Sequence, residues 1–354
     1  MPDAAVQSGG SAGAGATGGT DAGGTNPGGS GGSGGSDGSG DDGSAVEPPP
    51  GSYGLRAELL ASNSEMAVAE VDGKIFVVGG YPASREVQDT VQVYDVATDS
   101  WTMGTPLPVP LHHPVAVGVA GKLYSFGGQL FGDASSNRAL ELDPSTDGPW
   151  RDLAAMPTPR GAGAAAVIDD KIYVVGGRPP AGNAFEAYDI SDDAWTPLPD
   201  LPGPTDRNHL AATALGGKVY VAGGRHSGGS FADPMTDALD IFDPATGNWS
   251  SGAAMPRPRG GVNGIAAFGC FHVWGGEGAN IGEPNNVFPD HDVYDPRSNS
   301  WSSLPPLPTP VHGVTGAAFF GGLIYMPGGG TSQGGSSGSR IFQVYRPITR
   351  CDSG

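Results

Sequence analysis

An apolar pair, two further residues and a double glycine recur six times along the chain: IFVVGG from Ile75, LYSFGG from Leu123, IYVVGG from Ile172, VYVAGG from Val219, FHVWGG from Phe271 and IYMPGG from Ile324. The second glycines, Gly80, Gly128, Gly177, Gly224, Gly276 and Gly329, stand 48, 49, 47, 52 and 53 residues apart. A period of that size is the mark of a repeat architecture, in which each unit buries its apolar face only against its neighbours. The 354 residues are therefore read as one closed repeat unit behind a leader, not as two or three independent domains.

Within each period the glycines (Gly79, Gly80; Gly127, Gly128; Gly176, Gly177; Gly223, Gly224; Gly275, Gly276; Gly328, Gly329) are followed by a variable loop. Then comes an alternating strand ending in an aromatic and an Asp, as in VQVYD up to Asp95 and FEAYD up to Asp189. Six or seven residues later stands a tryptophan: Trp101, Trp150, Trp195, Trp249 or Trp301. Paired glycines allow a close backbone approach, Asp makes the hairpin turn, and the indole fills the space between units.

These marks resemble the Kelch repeat, and the resemblance covers residues 53–350. It implies an all-β fold, a six-bladed propeller of four-stranded antiparallel blades around a central channel. The sixth period has no tryptophan and no fourth strand, so residues 53–60 are expected to complete blade six. Residues 351–354 form a tail. Cys270 and Cys351 fall at hairpin turns on one face; a disulfide between them and a pair of free thiols, one buried and one frayed, are both consistent with that placement.

Residues 1–52 are glycine- and serine-rich with no aromatic to bury, and read as a disordered linker that Pro48, Pro49 and Pro50 stiffen at its end. The composition resembles the tethers of bacterial surface lipoproteins, which implies an extracytoplasmic protein (periplasmic or cell-surface), with membrane contact only through a lipid anchor removed from this chain. A low-complexity tail without any address is the other reading. No apolar run reaches the about 20 residues of a membrane helix, and no signal peptide is present. With 18 Lys plus Arg against 37 Asp plus Glu, the net charge of −19 argues against nucleic acid as a partner.

Function in such a fold belongs to the loops at the mouth. Aligned on the first-hairpin lysines, Glu65, His113, Ala162, His209, Gly261 and Val314 share one register, with His112, Asn208 and His312 beside it; in Kelch sensors that register carries ligand-facing arginines. Tyr81, Gln129, Arg178, Arg225, His226 and Glu277 follow the glycines and are expected to face the same opening. The two longest loops, after blades four and five, add Asp290 and His291, with Phe231 and Phe288 to cover a ligand.

Arg160, Arg207 and Arg259, and the recurring acids Glu141, Glu186, Asp240 and Asp292, read as scaffold. The expected function is a non-catalytic, monomeric module that binds a protein or a glycan. The alternative is a sugar mutarotase or epimerase resembling the sialic-acid type, using Glu277, Arg178 and Arg225. No cofactor and no metal are assigned, since His113 and His209 sit in no local ligand motif. A galactose-oxidase-like copper site would need a cysteine beside a tyrosine at the mouth, where there is none.

Overall fold

The computed structural model describes residues 46–352 apart from 147 and 229. The expected linker lies outside the described residues up to 45. From Val46 onward the chain is already attached: Pro48 is buried, Gly51 N donates to Arg346 O at 2.7 Å, and Arg346 pairs with Glu47. The prolines thus make a docked turn where an extended spacer was expected, because the turn supplies hydrogen-bond partners to the last strand.

Six sheets form the propeller, antiparallel throughout except where the short strand Val314–Thr315 joins blade one in parallel. Blade one is typical: Met66–Val71, Lys74–Val78, Val91–Asp95 and Ser100–Met103, in that spatial order from channel to rim. Its first hairpin turns at Asp72 (φ 49°) and Gly73 (φ 77°), two left-handed residues in succession, whose twist matches the flanking strands. In blade six the order is Tyr53–Leu55, Phe342–Tyr345, Leu323–Pro327, Ala318–Phe320. Tyr53 pairs with Tyr345 and Leu55 with Gln343, and Leu59 N still reaches Arg340 O at 3.0 Å, so the two ends of the propeller share one sheet.

Neighbouring blades are joined by repeated devices. Each blade-end indole donates backward to the preceding joint: Trp101 to Ala57 O, Trp150 to Thr105 O, Trp195 to Ala154 O, Trp249 to Pro199 O and Trp301 to Ala253 O, all within 3.1 Å. Buried Arg160, Arg207 and Arg259 each cross to the next blade, where each bonds the carbonyl of the first glycine (Gly176, Gly223, Gly275) and pairs with Glu186, Asp240 or Asp292. Glu141 does not share their register: it pairs opposite Tyr124 while Leu140 takes the position of Glu186, so it faces the other side of the strand and is bound by Lys122 and Arg151 of its own blade, and Leu111 stands where a crossing arginine would. At Gly127 a Cβ would lie 2.3 Å from Arg160 O, so only glycine lets that joint close.

Cys270 and Cys351 are joined by a disulfide that holds the end of the described chain against blade five. The inner strands of all six blades enclose a channel of about 260 Å³, walled by small apolar residues such as Val68, Ala116, Ala166 and Ala212, with Glu70 and Thr213 as its polar exceptions.

Candidate functional site

At the mouth, each inner strand has a residue in the left-handed region just before it or, in blade two, at its second position: Glu65 (φ 54°), His113 (53°), Ala162 (57°), His209 (53°), Gly261 (71°) and Gly313 (67°). Their backbones hydrogen-bond from blade to blade. Glu65 N donates to Gly313 O, His113 N to Glu65 O, Ala162 N to His113 O (3.0 Å), His209 N to Ala162 O (2.8 Å) and Gly261 N to His209 O (2.9 Å). The blade-six member is Gly313 and not Val314. Val314–Thr315 pairs in parallel with Met66 and Ala67 of blade one, and Gly316 and Ala317 intervene before the blade-six strand begins, which shifts the register by one.

The left-handed conformation costs a residue bearing a side chain about 1 to 2 kcal/mol, and two of the six members are glycine. The ring therefore carries glutamate and histidine against backbone preference, and strain of that kind concentrates at functional sites. Around the ring a buried polar cluster collects. Nε2 of His113 lies 2.8 Å from Glu65 Oε2, Nδ1 of His113 lies 2.6 Å from Nδ1 of His112, and the His113 and His209 rings meet edge to face at 5.1 Å. His312, on the other side, places Nδ1 3.8 Å from Glu65 and 3.6 Å from Glu277, while Nε2 donates to Ser332 O. Arg225 binds Glu277 at 2.9 Å, and Arg178 donates to Gln129 Oε1 at 2.7 Å and approaches Nε2 of His209 at 3.5 Å.

Burial would raise the Glu65 carboxyl, but His113, His312 and Arg178 outweigh it and hold the group below the usual carboxylate range. Burial depresses His113 against the pull of Glu65, and burial with Arg225 and Arg178 puts His209 far below the ordinary histidine value. His112 falls to about 3 through burial and the neighbouring His113. These imidazoles are neutral near pH 7.

The mouth so built differs from the expected open pocket. Tyr81, His113, Gln129, His209, Arg225 and Glu277 do converge there, joined by Arg178, but all except Arg178 are buried. They are roofed by the Gly/Ser-rich blade-six loop, residues 331–338. Gly334 N donates to Glu277 Oε2 at 2.7 Å, and a Cβ on Gly335 would touch the Tyr81 hydroxyl. Gln333 reaches across to Asn285 and Asn286 of blade five. A run of glycine and serine carries no apolar signal of docking, so sequence reasoning passed over this loop.

Three expected site residues stand elsewhere. His291 begins the third strand of blade five opposite Trp274; it lies between blades, with Nδ1 on the Tyr53 hydroxyl (2.7 Å) and Nε2 on His272 (3.0 Å). Asp290 pairs outward with Arg257, whose guanidinium covers the buried ring of Phe288, so that ring braces a loop instead of covering a ligand. His226 lies at the rim against the backbone of Pro204 and Thr205. Among the residues the loops expose are large apolar ones: Phe131 at 91%, Phe231 at 42% and Leu130 at 37%.

Comparison with known proteins finds a model of the KLHDC2/KLHL20/DRC7 Kelch-repeats domain matching residues 115–329 and a Kelch motif model matching residues 63–108. Kelch-like protein terF of Aspergillus terreus is 33% identical over 305 residues, covering 80% of this chain and 64% of its own length. Human Kelch-like protein 23 is 28% identical over 241 residues, 66% of this chain and 40% of its own. Beta-scruin of Limulus polyphemus is 26% identical over 292 residues, 77% of this chain and 31% of its own. The chain thus spans less than two thirds of the length of each of these relatives.

Proposed function

This chain belongs to the Kelch-repeat family, and from that premise we propose that it is a non-catalytic interaction module whose loop face receives a protein partner. The observation that carries this reading is the contrast at the mouth: the polar residues are buried beneath residues 331–338, while Leu130, Phe131 and Phe231 stand in water on rim loops. Exposed aromatic side chains on a rigid frame anchor protein interfaces at low entropic cost. A mutarotase would need Glu277 and Arg225 open to a sugar, and they are paired and buried beneath residues 331–338.

The disulfide supports an extracytoplasmic location, since such bonds persist in oxidising compartments. The relatives described above are eukaryotic and lend nothing to the bacterial, lipid-tethered type expected from the leader. The reading is tested by quantitative affinity capture with the wild-type chain and with a Leu130→Asp, Phe131→Asp, Phe231→Asp variant. A partner that the wild type retains and the variant loses, reproduced with purified components, supports it. Equal capture by both, or saturable binding of an oligosaccharide to both, would sink it.

A further inference from the structure

The mouth ring holds an arrangement that protein binding does not use. Asn208 Nδ2 donates to the carbonyls of Asp206 (2.7 Å) and Ser227 (3.0 Å), which turns its Oδ1 toward His209 Nδ1 at 2.6 Å. An amide oxygen only accepts, so Nδ1 of His209 carries the hydrogen and Nε2 presents its lone pair to the ring axis. On the neighbouring blade Asp133 lies 3.4 Å from Nε2 of His112. The His112–His113 contact, Nδ1 to Nδ1 across 2.6 Å, takes either direction; with the hydrogen on His113 Nδ1, its Nε2 is bare as well. That Nε2 sits 2.8 Å from a Glu65 oxygen in an orientation poor for a hydrogen bond, a contact in which a metal ion would take the place of a proton.

One nitrogen from each imidazole and a carboxylate oxygen thus lie within 4.8 Å of one another, and Glu65, His113 and His209 line a cavity of about 10 Å³ together with residues such as Ala162, Gly261 and Gly313. That is room for one water or one ion. A lone pair pressed against a carboxylate calls for positive charge between them.

We propose that Glu65, His113 and His209 form a binding site for a zinc-class divalent ion at the propeller axis. Two imidazoles and one carboxylate are the donor set of zinc sites that keep a fourth position open, and bringing donors 4.8 Å apart to the about 3.3 Å edge of such a tetrahedron takes side-chain rotation. Asn208 behind His209, and His112 with Asp133 behind His113, are the outer partners that fix the tautomers of ligating histidines. Arg178, beside His209 Nε2, opposes the ion and must yield to it. The site is independent of any partner on the rim.

The test uses the full chain stripped with chelator, then titrated with Zn²⁺ by calorimetry and with Co²⁺ in the visible. The expected result is one ion per chain and the ligand-field bands of four-coordinate cobalt. Glu65→Gln and His209→Gln should weaken binding about 100-fold or more, Arg178→Gln should tighten it, and His226→Gln should leave it unchanged, with melting curves verifying that each variant is folded. Absence of stoichiometric uptake by the wild type overturns the proposal without reference to any variant. So does a His312→Gln variant that loses the ion while His113→Gln keeps it, since the ion would then belong to Glu65, Glu277 and His312.

Discussion

Two sets of buried polar residues lie a few residues apart in the same blades and obey opposite rules. The crossing arginines repeat: Arg160, Arg207 and Arg259 meet the first-glycine carbonyl and a strand-three acid in the same way at three successive joints. At the mouth ring the backbone repeats but the side chains do not, running Glu, His, Ala, His, Gly, Gly over one left-handed conformation. Where geometry and chemistry recur together, the fold needs both. Where geometry recurs and chemistry varies, the fold needs only the backbone, and the side chains are available for something else.

The contrast is broken most directly at Arg259. Replacing it with Ala strands Asp292, already raised by its burial, and should cost about 3 to 5 kcal/mol in urea unfolding, whereas Arg259→Met with Asp292→Leu should be close to neutral. A mild Arg259→Ala phenotype would mean that the repeated pair is not scaffold. The ring should answer to a ligand instead. Zinc at a hundred times its dissociation constant should stabilise the wild type and Arg259→Ala alike by about 2.7 kcal/mol and Glu65→Gln not at all, read as a shift in melting temperature.

A third set sharpens the rule, because it neither repeats nor meets a carboxylate: His272, His291 and Tyr53 between blades five and six. Burial pulls His272 down to about 3, and burial with His272 and Arg259 pulls His291 well below its ordinary value. Both are neutral when folded, so below about pH 6.5 the unfolded chain binds more protons. Their contribution is complete above that pH and is lost as the pH falls, by about 2 kcal/mol for His272 at pH 5. Denaturant midpoints should fall from pH 7 to 4, with the mouth histidines His112, His113 and His209 adding to the slope, and His272→Gln should make it shallower. The smallest effect belongs to the rim: Leu130→Asp with Phe131→Asp should change stability by less than about 0.5 kcal/mol while removing the partner, and a larger loss would mean that these side chains serve the fold.

The sequence discloses what recurs. Glycine pairs, indoles, crossing arginines and the need for a borrowed strand in blade six can all be read by laying periods over one another, since each period solves the same packing problem. It was silent where a solution is used once. His291 follows a proline and an aspartate and reads as loop, but its strand begins there. Val314 was placed by counting, and the irregular Val314–Thr315 segment moved the register to Gly313. Glu65, His113 and His209 were visible as a register, with His312 beside it and Glu277 after the glycines, yet what roofs the cluster is the path of a glycine- and serine-rich loop that no periodicity describes.

The sheet shared by Tyr53–Leu55 and Phe342–Tyr345 also orders events in time. A ribosome releases the first of these strands before any blade and the second after all the others, so the earliest β-segment of the propeller must wait, unpaired, through the synthesis of five blades. Partly made chains then carry two open edges, one at each end, and either can find the wrong neighbour. Ring closure is the last and most non-local step of assembly. A truncated or stalled product is therefore a candidate for pairing end to end with another copy of itself, so that the seam which seals one finished molecule can link two unfinished ones.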